Sequence, residues 1–114
     1  MKMSFKNNGI KNMWMMVMFD LPTETKHERR EASRFRNFLQ DLGFSMAQYS
    51  VYMRFTGTRE NSQKYIHAVK RNNPCTGDVN ILFFTDTQFG DIIHLDKTQT
   101  PRPLAQRPNQ LQLF

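Results

Sequence analysis

Met13-Trp14-Met15-Met16-Val17-Met18-Phe19-Asp20-Leu21-Pro22 is the stretch that decides how this chain folds. Seven apolar residues follow one another without a break and end on a carboxylate. The run is too short to span a membrane and has the length of a β-strand covered on both faces. Asp20 then falls at the C-terminal end of the strand, and Pro22 stops the strand from continuing. Two readings of Asp20 follow. A buried rail presents the acid at the edge of a sheet as a metal ligand, or Asp20 opens a turn, as Asp often does.

The chain has 114 residues, enough for one domain with a modest core and too few for a second. Lys and Arg outnumber Asp and Glu by 16 to 10, a formal net charge of +6. That surplus favours an acidic partner, nucleic acid foremost, although solubility alone accounts for the same charge. Cys75 is the only cysteine, which excludes an internal disulfide and a Cys-based zinc site. A cytoplasmic setting is expected. Lys2, Lys6 and Lys11 precede the apolar run as in a signal peptide, but the run ends in Asp20 and no small-residue cleavage site follows. No transmembrane segment and no internal repeat is read.

Residues 1–12 are polar and read as a flexible lead-in. Thr25 and Glu28 have the spacing of a capping box and start a helix. Ala32, Phe35, Phe38, Leu39 and Leu42 recur at helical spacing, and Gly43 caps the end. Lys26, Arg30 and Arg34 lie away from that apolar stripe, and Arg29 and Arg36 flank it. A solvated basic face is the simplest reading of these residues. Arg30 and Arg34, central in the polar arc, are the candidates for phosphate contact. Phe44 to Phe55 reads as two short strands joined by a kink near Ser50, closed by Gly57. A second helix runs from about Arg59 to Asn72 on Tyr65, Ile66 and Val69. Val79 to Thr85 is the next strand. A short turn at Thr87–Gly90 leads to a last strand, Ile92–Leu95. The body thus spans residues 13–96, and 97–114 form an arm rich in Pro and Gln. Its apolar end, Leu111–Phe114, is expected to dock, for instance by adding a strand to another chain's sheet edge.

The order strand, helix, strand, strand, helix, strand is the split βαβ pattern of an α+β, ferredoxin-like βαββαβ sandwich, here with an extra C-terminal strand and the arm. Such a sheet is antiparallel, with helices on one face. Because the first strand is apolar on both faces, the other face needs a cover, and a second copy packed sheet to sheet about a two-fold axis is the simplest one. Two copies of Asp20 then approach one another.

The wording of the chain resembles a known family. Val17–Lys26, Arg34–Leu39 and Gly43–Tyr52, in that order, are similar to the small CRISPR-associated endoribonucleases, the smaller of the two universal spacer-acquisition proteins. Phe19–Lys26 is most similar to members from type II systems. The resemblance covers roughly residues 13–95. It implies a ferredoxin-like fold, a homodimer, and metal-dependent endonuclease activity on single-stranded RNA or double-stranded DNA. It also implies that Asp20 binds magnesium. In spacer acquisition it implies a dimer that bridges the integrase, the larger protein, and holds duplex DNA on a basic surface where Lys26, Arg30 and Arg34 lie.

One carboxylate per chain is a thin site. Magnesium prefers octahedral oxygen coordination with several waters, so two symmetry-related Asp20 side chains and a substrate phosphate suffice. His27, His67 and His94 are read as surface or packing residues. Asp86 ends a strand antiparallel to the first and is excluded because it falls at the other end of the sheet. Ser50, at the kink, has two readings, a phosphate contact and a backbone-bonding role, and the second is preferred. Two functions therefore stand. One is a magnesium-dependent endonuclease centred on Asp20. The other is a non-catalytic DNA-binding scaffold in which Asp20 is structural. An RNA-binding module of the RRM kind shares the element order, but Ser50–Phe55 lacks its glycine-aromatic signature.

Overall fold

β1 (Met13–Asp20) is an inner strand of a four-stranded sheet, and its side chains alternate between two cores. The computed structural model describes residues 12–104. Most of the lead-in and the apolar end of the arm, Leu111–Phe114, lie outside the described residues. Along the chain follow α1 (Lys26–Asp41), β2 (Ser45–Gln48), β3 (Val51–Gly57), α2 (Arg59–Arg71), β4 (Asp78–Thr85), the short α3 (Asp86–Gly90), β5 (Ile93–Leu95) and β6 (Pro101–Pro103). The main sheet has the order β2-β3-β1-β4, with every neighbouring pair antiparallel. This α+β arrangement is compatible with the ferredoxin-like βαββαβ pattern.

Met15, Val17 and Phe19 point into the first core with Phe35 and Leu39 of α1 and Ile66 and Val69 of α2. Met15 and Val17 have no exposed surface, and burial of each stabilises the fold by about 1.5–3 kcal/mol. The capping box at the start of α1 is present: Thr25 Oγ1 accepts from the Glu28 amide at 3.0 Å, and Glu28 accepts from the Thr25 amide at 2.9 Å. Gly43 ends the helix at φ 93°, a conformation that favours glycine. Between β2 and β3 the chain kinks at Ser50, with φ 66°.

The second face differs from the sequence expectation of helices on one face only. Trp14 and Met16 of β1 and Phe84 of β4 pack there with Phe89 of α3 and Leu104, so the chain covers part of this face itself. Trp14 stacks on Phe89 with 3.9 Å between centroids and 6° between planes. The segment read as a turn at Thr87–Gly90 is α3, because Thr85 and Gln88 form a second capping box. The last strand, β5, does not extend the main sheet. It pairs antiparallel with β6, whose residues the sequence reading places in the arm. Two prolines in three residues suit an edge strand, where a missing N–H costs nothing.

Candidate functional site

Asp20 stands where β1 leaves the core. Phe19, one residue earlier, is buried between the rings of Phe35 and Tyr52, at 5.2 and 5.7 Å between centroids. The Phe19 amide donates to the Ser50 carbonyl at 3.1 Å, which ties the β2–β3 kink to the end of β1. Ser50 takes part in this bond through its main-chain carbonyl. Beside it Tyr49 is turned out to solvent, 74 % exposed. Two shallow hollows meet at the exposed Asp20. One, about 200 Å³, is lined by Met18, Ser50, Asp78 and Asn80 among others. The other, about 230 Å³, is lined by Asp20 together with Thr23, Arg36, Tyr49 and Ser50 among others.

Three residues around Asp20, namely Asp78, Gly77 and Arg36, were not tied to it by the sequence. Asp78 is the direct cross-strand partner of Asp20 in the β1–β4 ladder. Reading β4 from Val79 leaves it out by one position. The signal was present, because the antiparallel argument that sends Asp86 to the far end also brings the start of β4 to Asp20. Asp86 does lie at that far end: it accepts from Trp14 Nε1 at 2.9 Å, and its amide donates to the Asn12 carbonyl at 2.8 Å. Gly77 packs against the main chain of the site. A Cβ there would fall 2.3 Å from the Asp20 carbonyl oxygen and 3.1 Å from Leu21 Cα. Arg36, placed at the flank of the helical stripe by sequence, is the basic side chain that shares a hollow with Asp20. It donates to Ser33 Oγ at 3.1 Å, and its guanidinium sits 6.0 Å from the centre of the Tyr49 ring.

The donor set bears on a metal. Among the described residues no group of three or more His, Cys, Asp and Glu is placed to hold an ion. His27 and His67 are exposed on the helices, and His94 is half-buried on β5. A closed zinc site does not fit this set. Magnesium does fit, since it is held by one or two carboxylates and keeps several waters.

The outer face of α1 and Asn72 line an open groove of about 750 Å³. Lys26, Arg30 and Arg34 all line it, but they are not equivalent. Arg34 is paired with Glu31 at 3.3 Å and donates to the Asn72 carbonyl at 3.1 Å, so it holds α1 to the end of α2. Arg29 donates to the carbonyls of Thr23 and Glu24 at 3.0 and 2.8 Å and clamps the turn before the helix. Lys26 and Arg30 have no such partner among the described residues. They are the two cations of the groove whose charge is uncommitted.

Fold and site together define a class: a small α+β protein whose central strand ends in an exposed acid beside a basic first helix. Residues 13–92 match the family described as CRISPR associated protein Cas2, and the chain belongs to that family. Its relatives include three proteins named CRISPR-associated endoribonuclease Cas2. The one from Flavobacterium psychrophilum is 40 % identical over 107 residues, 94 % of this chain and 92 % of the relative. That from Parvibaculum lavamentivorans is 43 % identical over 103 residues, 90 % of this chain and all of the relative. That from Paracidovorax avenae is 42 % identical over 106 residues, 93 % and 97 % of the two chains. No helix among the described residues is long and apolar enough to cross a membrane.

Proposed function

We propose that this protein is an endoribonuclease of CRISPR adaptation whose cleavage of the phosphodiester backbone depends on magnesium and on Asp20. The observation that carries the reading is the match to endoribonuclease relatives over nine-tenths of the chain, together with an acid exposed at the end of an otherwise buried strand. Magnesium, when bound by Asp20 and its counterpart in a second copy, supplies charge neutralisation at the phosphate and an activated water.

The chain's own residues do the rest. β1, anchored through Met15, Val17 and Phe19, fixes the Asp20 backbone so that the carboxylate needs no reorganisation. Lys26 and Arg30 neutralise backbone phosphates along α1 and give affinity without sequence preference. Arg36 lies in the Asp20 hollow, where it stabilises charge building on the cleaved phosphate. Met18 and Phe55 stay over a third exposed on the second face, which Phe89 and Leu104 cover only in part. A homodimer formed over that face brings two copies of Asp20 together. In spacer acquisition the dimer holds double-stranded DNA on the same basic surface and bridges the integrase.

A non-catalytic scaffold is the second reading, favoured by the small donor set around Asp20. Wild-type protein incubated with labelled single-stranded RNA and duplex DNA, in magnesium and in chelator, separates the two. Magnesium-dependent cutting of RNA is expected. Binding without cutting of either substrate gives the scaffold instead.

A further inference from the structure

We propose that Asp78 is the second carboxylate of the Asp20 site, so that each chain offers a magnesium ion two acids rather than one. The inference rests on the magnesium-dependent reading of Asp20. Asp20 and Asp78 form the last rung of the antiparallel β1–β4 ladder, after Met18 opposite Asn80 and Met16 opposite Leu82. Direct cross-strand partners hold their Cβ atoms about 4.5–5.5 Å apart on one face of the sheet. The face is set by the alternation: Trp14, Met16 and Phe84 pack on the side away from α1 and α2, so Asp20, Asp78 and Asn80 open on that side too. All three line the same hollow of about 200 Å³.

Two further features separate this pair from a chance meeting of surface acids. Like charges directly opposite one another destabilise a sheet, and among the described residues neither acid has an ion pair to relieve the repulsion. The approach also has a steric condition. Gly77 touches the Asp20 main chain, and any Cβ there would overlap the Asp20 carbonyl oxygen at 2.3 Å. Only a residue without a side chain lets β4 open in register with the end of β1. Asp20 and Asp78 of one chain would each offer magnesium an oxygen ligand beside the Asp20 counterpart of the second copy, leaving the remaining positions to waters and a substrate phosphate.

Calorimetric titration of the full chain with magnesium, without nucleic acid, tests this on wild type, Asp20→Asn, Asp78→Asn and Asp91→Asn. Asp20→Asn and Asp78→Asn should each weaken binding at least about tenfold, while Asp91→Asn, at the end of α3, binds like wild type. Thermal unfolding adds a readout independent of turnover. In chelator Asp78→Asn should melt at or above wild type, because a like-charged neighbour is gone, and magnesium should raise the midpoints of wild type and Asp91→Asn clearly more than those of Asp20→Asn and Asp78→Asn. If Asp78→Asn binds magnesium as tightly as wild type while Asp20→Asn does not, Asp78 has no such role and Asp20 keeps its own. If Asp78→Asn melts below wild type in chelator, its loss of binding is structural and the proposal fails. If wild type takes up no ion, both readings fail.

Discussion

Gly77 lies so close to Asp20 that a Cβ atom placed on it falls 2.3 Å from the Asp20 carbonyl oxygen. The obstacle is backbone held in a sheet, so it cannot rotate aside. Gly77→Ala should therefore cost about 1–3 kcal/mol through displacement of the β1 end. Gly90→Ala is the matched control, since nothing lies within 4 Å of a Cβ there, and it should stay within about 0.5 kcal/mol of wild type. Urea unfolding measures both. A Gly77→Ala protein as stable as wild type would show that the main chain at Asp20 yields.

Trp14 and Asp86 pin the opposite end of the sheet. The indole donates to the carboxylate at 2.9 Å while its ring stacks on Phe89. Asp86→Ala should lower stability by about 1 kcal/mol, the worth of one partly buried hydrogen bond. It should leave magnesium-dependent cleavage unchanged, because Asp86 lies beside the N-terminal end of β1 and Asp20 closes its C-terminal end. Equal loss of cleavage in Asp86→Ala and Asp20→Ala would break that separation.

Arg30 and Arg34 line one groove but are held differently, and the difference is measurable. Arg34→Ala should cost about 1 kcal/mol of stability, chiefly from its bond to the Asn72 carbonyl, since an exposed pair with Glu31 contributes little. Arg30→Ala should leave stability unchanged. RNA affinity should fall in Arg30→Ala, with the slope of log affinity against log salt shallower by about one. An unchanged slope would place Arg30 away from the phosphates.

The β5–β6 hairpin carries a pH dependence. The Thr98 hydroxyl, the Thr100 amide and the Thr98 amide all donate to Asp96, Arg102 is ion-paired with it, and these partners hold its carboxyl down at about 2 from an ordinary 3.8. A carboxyl with a depressed folded pKa contributes stability above its unfolded value and loses it as pH falls through the folded one. The hairpin should therefore hold at pH 5 and loosen between about pH 4 and pH 2. Protection factors for amide hydrogen exchange at Thr98 and Thr100, that is, exchange relative to the unstructured chain at the same pH, read this across that range. Asp96→Asn should abolish the pH dependence of protection, and protection that stays constant in wild type would contradict the assignment.

Local signals were legible in the chain where one residue type has one local use. The Thr25 and Glu28 capping box, Gly43 at the helix end and the kink at Ser50 were all readable, because each depends on residues a few positions apart. What stayed hidden depends on distant packing. Nothing in periodicity says that Phe89 and Leu104 fold back over the second face of β1, or that Pro101–Pro103 return to pair with β5. The site divides the same way. Asp20 is marked by the apolar run that it ends. Asp78 ends nothing, and its relation to Asp20 appears only once the register of β1 and β4 is known. Arg36 likewise becomes a neighbour of Asp20 through the turn between β1 and α1, not through its place on the helical wheel.

The most direct test of the account is the single-turnover cleavage rate of labelled single-stranded RNA by wild type and by Asp20→Asn, with protein in excess and magnesium saturating. The substitution keeps the size of the side chain and removes its charge. The account predicts a fall of about a hundredfold or more in rate, with RNA affinity close to wild type. Equal rates in the two proteins would remove Asp20 from the chemistry and leave the protein a scaffold.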